Sequence, residues 1–325
     1  MNFVIFESDS SMYKIVMSDI EKMDNVKLIY RDIPFRSKFL NKLFKVHMSQ
    51  TINRIFPLPF KNIWYKKLID IDFKKDEDLC FLFIPGWYSC GFVNWLKKKY
   101  PKAKFVLFYR DTVGVYQKVI PSLKSSKIDD QFDLILCYNP EDSKKYGYQY
   151  THAFVSKINK NNLPVFPKSD ISFIGVAKDR LRFLIQIYER LESFNLNPNF
   201  VIVNVKKEDR VIKEGIKYLD KGISYLDYLG IESASNCILE IIKGDTKGNT
   251  YRCWEAVYFN KKLISNWPGI KSFQYYDPRY MLYIENADDI NESFFLEDTD
   301  VDYGYKNENS PIYLLDLISE KLKSN

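Results

Sequence analysis

The sequence predicts an α/β protein made of parallel, doubly wound sheets in two consecutive halves. Short apolar runs recur along the chain, and segments with helical periodicity separate most of them. Several of these runs are apolar without alternation, as is typical of strands that are covered on both faces. Strands that alternate with helices favour a parallel sheet. A polar segment with Pro164 and Pro167 interrupts the pattern and predicts a linker.

The elements of the first half follow one another as strand and helix. Strands are expected at 3–6, 26–30, 79–84, 104–109, 132–137 and 151–155. Helices are expected at 92–99, ending before Pro101, and at 141–146, ending at Gly147. This order predicts one Rossmann-like domain over residues 1–158.

The pattern restarts after the linker, which is placed at 159–169. Strands are expected at 171–174, 200–205, 236–242 and 281–285, and helices at 177–191, 208–213, 226–233, near 288–295 and at 312–322. Residues 248–265 add one helix and one strand. We expect a second Rossmann-like domain over 170–309 and a C-terminal helix over 310–325. A chain of 325 residues suits two domains of about 150 residues each.

Composition narrows the class of protein. The hydrophobic share of 46% is ample for packed cores. The five cysteines form no CxxC pair, which predicts reduced, mostly buried thiols of a cytoplasmic protein rather than a disulfide framework or a zinc site. We expect no secretory signal, and no apolar run approaches the roughly 20 residues that span a bilayer. Any membrane contact is therefore expected to be peripheral.

Residues 33–69 form a basic and aromatic stretch. They contain eight Lys or Arg and no Asp or Glu, so their local charge exceeds the net +6 of the whole chain. Leu40, Leu43, Phe44 and Met48 have helical spacing. This composition favours a surface that meets an anionic inner-leaflet membrane or a lipid-linked acceptor. The alternatives are a solvated helix that packs its apolar side inward and, less favoured, a nucleic-acid surface.

The segment 248–265 carries the densest set of candidate binding residues. Gly248 allows a close approach of the backbone, and Asn249 or Thr250 is expected to cap the following helix. Arg252 and Glu255 lie three residues apart. A helix N-terminus with these groups suits a nucleotide, with phosphate at the tip and the ribose hydroxyls on the carboxylate. The alternative is an amphipathic helix with a surface ion pair.

A second candidate site follows the strand expected at 171–174. Gly175 is predicted to form a turn, and Lys178 and Arg180 lie at the start of the next helix. Two cations there oppose the helix dipole unless an anion such as a diphosphate binds. The alternative is that Asp179 offsets their charge. Tyr225 follows Ser224, where backbone groups would hold a base, or where Ser224 simply caps a helix.

Asp111 is the candidate catalytic residue, because it lies where a strand opens toward the ligand-binding edge of the sheet. A carboxylate there suits a general base toward an acceptor hydroxyl. A helix cap is the alternative, and Glu7 and Asp9 are weaker candidates for the same role. The histidines, His47 and His152, are expected to be structural. The DxD spellings at 70–72 and 298–300 lack a strand context, so no metal site is predicted.

Four segments of the second half together resemble a known family. They are the residues around Gly175, Lys178 and Arg180, those from Tyr225 to Tyr228, those from Ser235 to Glu240, and 248–265. In this order they resemble bacterial GT-B glycosyltransferases of capsular, exopolysaccharide or lipopolysaccharide biosynthesis. The resemblance covers roughly residues 170–285, and its sharpest part runs from Glu255 to Ile264.

The resemblance implies two facing Rossmann-like domains, a sugar nucleotide held mainly by the second, and no obligatory metal. By this likeness Glu255 holds the ribose, and Lys178, Arg180 and the turn at 248–250 hold the diphosphate. Lys247 replaces the first glutamate of the E-x7-E signature of many retaining members, so an inverting mechanism with Asp111 as base is favoured.

The predicted function is therefore a hexosyltransferase. It would move a sugar from a nucleotide-sugar donor, with UDP favoured, to a lipid-linked or oligosaccharide acceptor of a bacterial surface polysaccharide. The alternative is a non-catalytic, nucleotide-sugar-binding partner subunit of a transferase complex.

Overall fold

The computed structural model describes the chain except residues 9, 31–34, 36, 57, 70–77, 125, 243–249, 297–299 and 325. It divides into two compact units. The first contains Met1–His152 and Pro311–Asn325, and the second contains Ala153–Ser310. The C-terminal helix thus belongs to the first unit, where it contacts a strand of the first sheet. The domain boundaries expected from the sequence stay a prediction, since they concern where independently folding domains begin and end.

The first unit contains a parallel sheet of six strands in the order β2-β1-β3-β4-β5-β6. The strands are β1 Asn2–Glu7, β2 Val26–Tyr30, β3 Leu79–Phe83, β4 Lys104–Tyr109, β5 Leu134–Cys137 and β6 Gln149–Tyr150. Every residue of β3 is buried, which explains why its sequence is apolar without alternation.

Helices flank this sheet. They are α1 Ser11–Val16, α2 Lys38–Met48, α3 Gln50–Ile55, α4 Asn62–Leu68, α5 Cys90–Lys99, α6 Val113–Val119 and α7 Pro140–Tyr146. The basic and aromatic stretch therefore forms helices α2 to α4, and the helical spacing of Leu40, Leu43 and Phe44 is confirmed by α2. Gly147 ends α7 with a φ of 72°, a left-handed conformation that glycine adopts without steric cost.

The second unit contains another parallel sheet of six strands, in the order β12-β11-β10-β7-β8-β9. The strands are β7 Ser169–Val176, β8 Pro198–Val203, β9 Ile216–Leu219, β10 Ser235–Glu240, β11 Lys262–Ser265 and β12 Met281–Tyr283. The chain runs outward from β7 to β9 and then returns to β10 on the other side of β7. Ligands of open α/β sheets bind at such a reversal, outside the carboxyl ends of the strands.

The helices of the second unit and the final helix complete the fold. They are α8 Leu181–Glu192, α9 Tyr225–Ala234, α10 Tyr251–Phe259, α11 Ser293–Leu296 and α12 Pro311–Lys323. The predicted fold class, α/β with two Rossmann-like parts and a C-terminal helix, is confirmed.

Several element predictions are wrong. Residues 151–155 form no strand, although Phe154 and Val155 are buried. The Val155 N–H donates to the Asn309 carbonyl oxygen at 2.8 Å. The segment is therefore a buried irregular connection whose sequence is as apolar as that of a strand. Strand β9 was not predicted, because it is an edge strand of four residues, none of which is fully buried. The helix expected at 208–213 is one short turn, Lys207–Asp209.

Among the described residues, no helix is long and apolar enough to cross a membrane. The same residues contain no cluster of three or more His, Cys, Asp or Glu side chains placed to hold a metal ion. The cysteines are all free thiols, and Cys90 alone among the five is exposed. The DxD spelling at 70–72 and two of the three positions at 298–300 lie outside the described residues.

Candidate functional site

The candidate site lies at the carboxyl edge of the second sheet, where β7 and β10 are neighbours. Arg180, just before α8, bridges the two strand ends. Its Nη1 donates to the Ile241 carbonyl oxygen, its Nη2 to the Val176 carbonyl oxygen at 2.5 Å, and its Nε to the Ala177 carbonyl oxygen at 3.3 Å. These bonds use three of the five guanidinium N–H groups and hold the cation at the reversal point.

Arg252, from the first turn of α10, approaches the same place. Its Nη2 donates to the Ile174 carbonyl oxygen of β7, and its Nε lies 3.7 Å from Glu232 Oε1. This approach explains Gly175, which is part of β7 rather than the predicted turn. A Cβ at position 175 would lie 3.3 Å from both Arg252 Nη2 and the Phe173 ring. A side chain at this position would therefore require the arginine or the Phe173 ring to shift by a few tenths of an ångström.

The two guanidinium groups repel each other. Burial lowers the pKa of Arg180, and the charge of Arg252 lowers it further. For Arg252, burial lowers the pKa, but the charges of Tyr228, Glu232, Glu240 and Glu255 together raise it, so its net pKa shift is upward. The two like charges create a positive potential, which the nearby buried carboxyl groups of Glu232, Glu240 and Glu255 balance in part and which an anionic ligand would relieve further.

The N-cap of α8, Arg180, makes no side-chain capping bond, and a 3-10 turn, Lys178–Arg180, leads directly into the helix. Asp179 in this turn raises the pKa of Arg180 and so offsets part of the positive charge, as the alternative interpretation expected. The exposed Lys178 adopts a φ of 50°, a left-handed conformation that is strained for a side chain of its size. An uncapped helix N-terminus beside two cations suits a phosphate group.

Glu240 ends β10 and is fully buried. It accepts hydrogen bonds from Thr250 Oγ1, from Ser265 Oγ at 2.5 Å and from Cys253 Sγ at 3.4 Å. Thr250 is the N-cap of α10, and its Oγ1 accepts from the Arg252 N–H at 3.1 Å. Glu240 therefore ties the start of α10 to the ends of β10 and β11. Thr250, one of the two residues predicted to cap this helix, is its N-cap in the structure.

Glu240 and Ser265 were missed as site residues. The available signal was a single carboxylate at the end of an otherwise apolar strand, next to the reversal point of the sheet. The structure shows what the sequence pattern does not, namely that three hydroxyl or thiol donors converge on this carboxylate.

Glu255 lies in the protein interior next to this edge of the sheet, and not on an exposed face of α10. It is fully buried, and its two oxygens accept hydrogen bonds from Tyr225 Oη at 2.6 Å and Tyr228 Oη at 2.7 Å. Glu232 is also fully buried, and burial together with the Glu255 charge raises its pKa well above the usual range. The surface ion pair considered for Arg252 and Glu255 is absent, because residues 253–259 of α10 are buried all round.

Tyr225 is the first residue of α9, and Ser224 caps that helix by accepting from the Asp227 N–H at 3.0 Å. Burial is the main cause of the upward pKa shifts of Tyr225 and Tyr228, so both phenols remain hydrogen-bond donors. The ribose role predicted for Glu255 stays a prediction. It requires the carboxylate to exchange one tyrosine hydroxyl for a ribose hydroxyl.

The structure places Asp111 in the first unit, directly after β4 and Arg110. Asp111 is exposed, and its Oδ1 accepts from the Thr112 N–H at 2.7 Å. Thr112, not Asp111, is the N-cap of α6. Glu7 is fully buried in a two-pronged ion pair with Arg110 at 2.7 and 2.8 Å, so both of its oxygens are engaged.

The other predicted residues have separate outcomes. Gly248 and Asn249, like Asp9, lie outside the described residues. His47 accepts a hydrogen bond at Nδ1 from Trp64 Nε1. Gly175, Arg180, Tyr225, Thr250, Arg252 and Glu255 all belong to the connected set of contacts at and behind the edge of the second sheet.

Two Rossmann-like α/β units in one chain define the fold of the GT-B glycosyltransferases. Similar solved structures include the trehalose-6-phosphate synthase OtsA, with 9% identity, a TM-score of 0.58, and coverage of 100% of this chain and 99% of that chain. Another is a UDP-forming α,α-trehalose-phosphate synthase from Burkholderia xenovorans, with 11% identity, a TM-score of 0.55 and 99% coverage of both chains. At these identities the likeness shows the fold alone. No family model and no curated protein sequence matches the chain.

Proposed function

We propose that this protein is a glycosyltransferase that moves a sugar from a nucleotide-sugar donor to a lipid-linked or oligosaccharide acceptor. The observation that carries the proposal is the cationic, uncapped start of α8 at the reversal point of the second sheet. Arg180 and Arg252 meet there, and the exposed Lys178 lies two residues before Arg180. A nucleoside diphosphate has the charge and the acceptor oxygens that this arrangement lacks.

UDP is the favoured nucleotide. The support is the fold likeness to a synthase that is described as UDP-forming. In this proposal the diphosphate accepts hydrogen bonds from the first N–H groups of α8 and from Lys178. The nearby Arg180 and Arg252 add positive electrostatic potential. The turn at 248–250, which includes Thr250, would complete the diphosphate site.

Glu255 would hold the ribose by the hydroxyl exchange described above. This role can be separated from the diphosphate site. Glu255→Gln should weaken UDP binding and leave pyrophosphate binding unchanged, because only UDP carries the ribose. Equal weakening of both ligands would assign Glu255 to the support of the diphosphate site instead.

The proposed reaction is a displacement at the anomeric carbon. The acceptor oxygen forms a bond to that carbon while the bond to the donor diphosphate breaks. Asp111 takes the proton of the acceptor hydroxyl, and the diphosphate leaves with the electron pair. Cations and helix dipoles stabilise the negative charge that develops on the leaving group. This scheme is inverting and requires no metal.

The acceptor side of the proposal rests on helices α2 to α4. Their exposed lysines and apolar side chains suit attachment to the anionic cytoplasmic face of a membrane, where lipid-linked precursors of a surface polysaccharide would be met. Vesicles of phosphatidylcholine with and without phosphatidylglycerol test this point by co-sedimentation. We expect binding only with the anionic lipid, and Phe56→Asp should weaken it.

Calorimetric titration of the full chain with UDP, GDP and CDP tests the donor site. We expect UDP to bind most tightly and Lys178→Ala to weaken it. Lys217→Ala, an exposed lysine on β9, is the matched control and should bind UDP like the wild type. If the wild type binds none of the three nucleotides, the proposal fails.

A second candidate is a nucleotide-sugar-binding subunit without catalysis. The observation that favours it is the internal engagement of Glu255 and Arg180 by tyrosine hydroxyls and backbone carbonyls. Transfer or hydrolysis of a UDP-sugar by the isolated chain, lost in Asp111→Asn, would exclude this candidate. UDP binding without either reaction would favour it.

A further inference from the structure

A cavity of about 290 Å³ lies in the first unit, beside the carboxyl end of β3. Its wall is mostly apolar and comes mainly from α2, α4 and the segment that follows β3, with smaller contributions from Asn53 of α3 and from Ile120 and Ser122 after α6. Phe44 and Met48 contribute from α2, and Trp87 and Phe92 from the segment after β3. Lys61, which precedes α4, contributes a cation to the same wall.

The helices that form this wall are fastened to one another. Phe35, Phe44 and Trp64 form a triangle of rings whose centroids lie 5.5 to 5.6 Å apart. Asn53 Nδ2 donates to the carbonyl oxygens of His47 at 2.8 Å and Ser49 at 2.7 Å, which joins α2 to α3. The cavity therefore belongs to a packed substructure and not to a gap between loose helices.

The outer surface of the same helices is unusual for a protein that faces only water. Large apolar side chains are mostly exposed there: Phe39 72%, Ile55 68%, Phe56 70%, Phe60 75% and Ile63 60%. Phe60 also adopts a φ of 60°, which is strained for an aromatic residue. Clustered exposed apolar surface of this kind marks an interaction site.

Charge indicates what the surface meets. Residues 37–69 contain no Asp or Glu, and Lys38, Lys42, Lys45, Lys66 and Lys67 are exposed between the apolar side chains. Burial lowers the pKa of Lys61, at the cavity, so an anionic partner would stabilise its charged form. An apolar cavity, a rim cation and an acid-free surface together fit an amphiphile with an anionic head.

We infer that this cavity receives the first carbons of the lipid chain of a lipid-phosphate acceptor, with the phosphate at Lys61. The inference rests on the proposed function and names the acceptor class. An apolar cavity of about 150 Å³ holds one benzene ring, so about 290 Å³ holds on the order of ten carbon atoms. The remainder of a longer chain would lie along the exposed apolar side chains of α2 to α4.

Binding of short lipid phosphates to the full chain tests this inference. Geranyl phosphate and decyl phosphate both carry ten carbons, one branched and unsaturated and the other straight. Geraniol and inorganic phosphate supply the chain and the head separately. We expect both lipid phosphates to bind at least tenfold more tightly than geraniol or phosphate, and the ratio of their affinities to show whether the cavity prefers an isoprenoid or a straight alkyl chain.

Two variant pairs locate the ligand. A Cβ at Gly86, in the cavity wall, meets no atom within 4 Å, so Gly86→Leu adds a side chain to open space beside the cavity. Gly114→Leu adds the same side chain to open space on α6, outside the cavity wall, and is its control. Gly86→Leu should weaken lipid-phosphate binding at least tenfold. Lys61→Ala should weaken lipid phosphates but not geraniol, and Lys27→Ala, at an exposed position of β2 outside this surface, should change neither.

The outcomes separate this inference from the proposed function. Lipid-phosphate binding that survives Gly86→Leu, with melting temperatures that show both variants folded, overturns the cavity assignment. The same conclusion follows if inorganic phosphate binds as well as the lipid phosphates. UDP titration is independent of both results: loss of the UDP result with lipid-phosphate binding intact refutes only the donor proposal.

Discussion

The carboxyl edges of the two sheets each bury one glutamate, but they satisfy it in different ways. In the first unit Glu7, at the end of β1, faces the guanidinium of Arg110 in a two-pronged ion pair. In the second unit Glu240, at the end of β10, accepts from the hydroxyls of Thr250 and Ser265. The arginines of the second edge, Arg180 and Arg252, give hydrogen bonds to backbone carbonyls instead.

This difference is the reason why we propose the second edge, and not the first, as the donor-binding edge. A carboxylate matched by a buried arginine leaves little net charge, so the first edge is internally satisfied. At the second edge Arg180 is held by neutral carbonyls, whereas Arg252 also lies 3.7 Å from Glu232 Oε1, so the positive charge there is balanced only in part. Similar sheets therefore offer different chemistry because of where their arginines donate.

The largest expected effect comes from breaking the ion pair of the first edge. Glu7→Gln should lower the free energy of unfolding by about 3–5 kcal/mol, because it leaves Arg110 as a buried, unmatched charge. Urea unfolding measures this loss. Lys104→Met is the control, since its pair with Asp133 is partly exposed, with a distance of 3.5 Å, and such pairs contribute about 0–1 kcal/mol. Equal losses in the two variants would contradict the comparison.

A smaller effect is expected at the second edge. Glu240→Gln should cost about 1–2 kcal/mol, because its donors are neutral and hydroxyl groups can rotate to accept from an amide. The same urea experiment measures it beside Glu7→Gln. A loss of unfolding free energy as large as that of Glu7→Gln would show that the hydroxyl-bound carboxylate contributes as much to stability as the ion pair. Glu240→Ala removes all the acceptors and should cost more than Glu240→Gln.

Lys178 distinguishes binding from stability at the second edge. Lys178→Gly should raise stability by up to about 1 kcal/mol, because glycine adopts a positive φ without strain. It should also weaken UDP binding about tenfold, which corresponds to about 1.4 kcal/mol. Thermal unfolding and calorimetry measure the two quantities on one sample. A variant that binds UDP normally would remove Lys178 from the donor site.

The buried carboxyl pair behind the second edge predicts the mildest effect, a pH dependence. Because the pKa of Glu232 is raised in the folded protein, the folded state binds more protons than the unfolded state above the ordinary pKa of Glu. Stability from this group is therefore present at low pH and falls as pH rises from that ordinary value toward the raised one. Urea unfolding at pH 5 and pH 8 should show a smaller pH difference in Glu232→Gln than in the wild type. An unchanged difference would exclude Glu232 as its source.

Much of the fold follows from local sequence. Runs such as 79–84 and 104–109 are apolar without alternation, and they became fully or largely buried parallel strands. The prediction for 151–155 failed because an apolar, buried segment is not always a strand. Here the backbone of Val155 makes its hydrogen bond to an irregular segment instead of to a neighbouring strand. Strand β9 was not predicted because it has only four residues and lies at the edge of the sheet, where none of them is fully buried.

The candidate site was predictable in part. The cations Lys178, Arg180 and Arg252 and the cap Thr250 could be named because their positions relative to strand ends and helix starts are local properties. Gly175 is not the predicted turn, since it lies within β7, where Arg252 packs closely against it. The tyrosines that hold Glu255 were beyond local inference, because they come from α9, about 30 residues earlier.

The sequence by itself determined which segments become buried strands and which residues carry charge at their ends, because hydrophobic periodicity and helix capping act over a few residues. Only the tertiary structure decided the partners of those charges. It matched Glu7 with Arg110 across 103 positions, gave Glu240 the hydroxyls of Thr250 and Ser265, and turned Arg180 and Arg252 toward backbone carbonyls. Electrostatic pairing depends on distance in space, and a parallel sheet brings strand ends together irrespective of their separation along the chain.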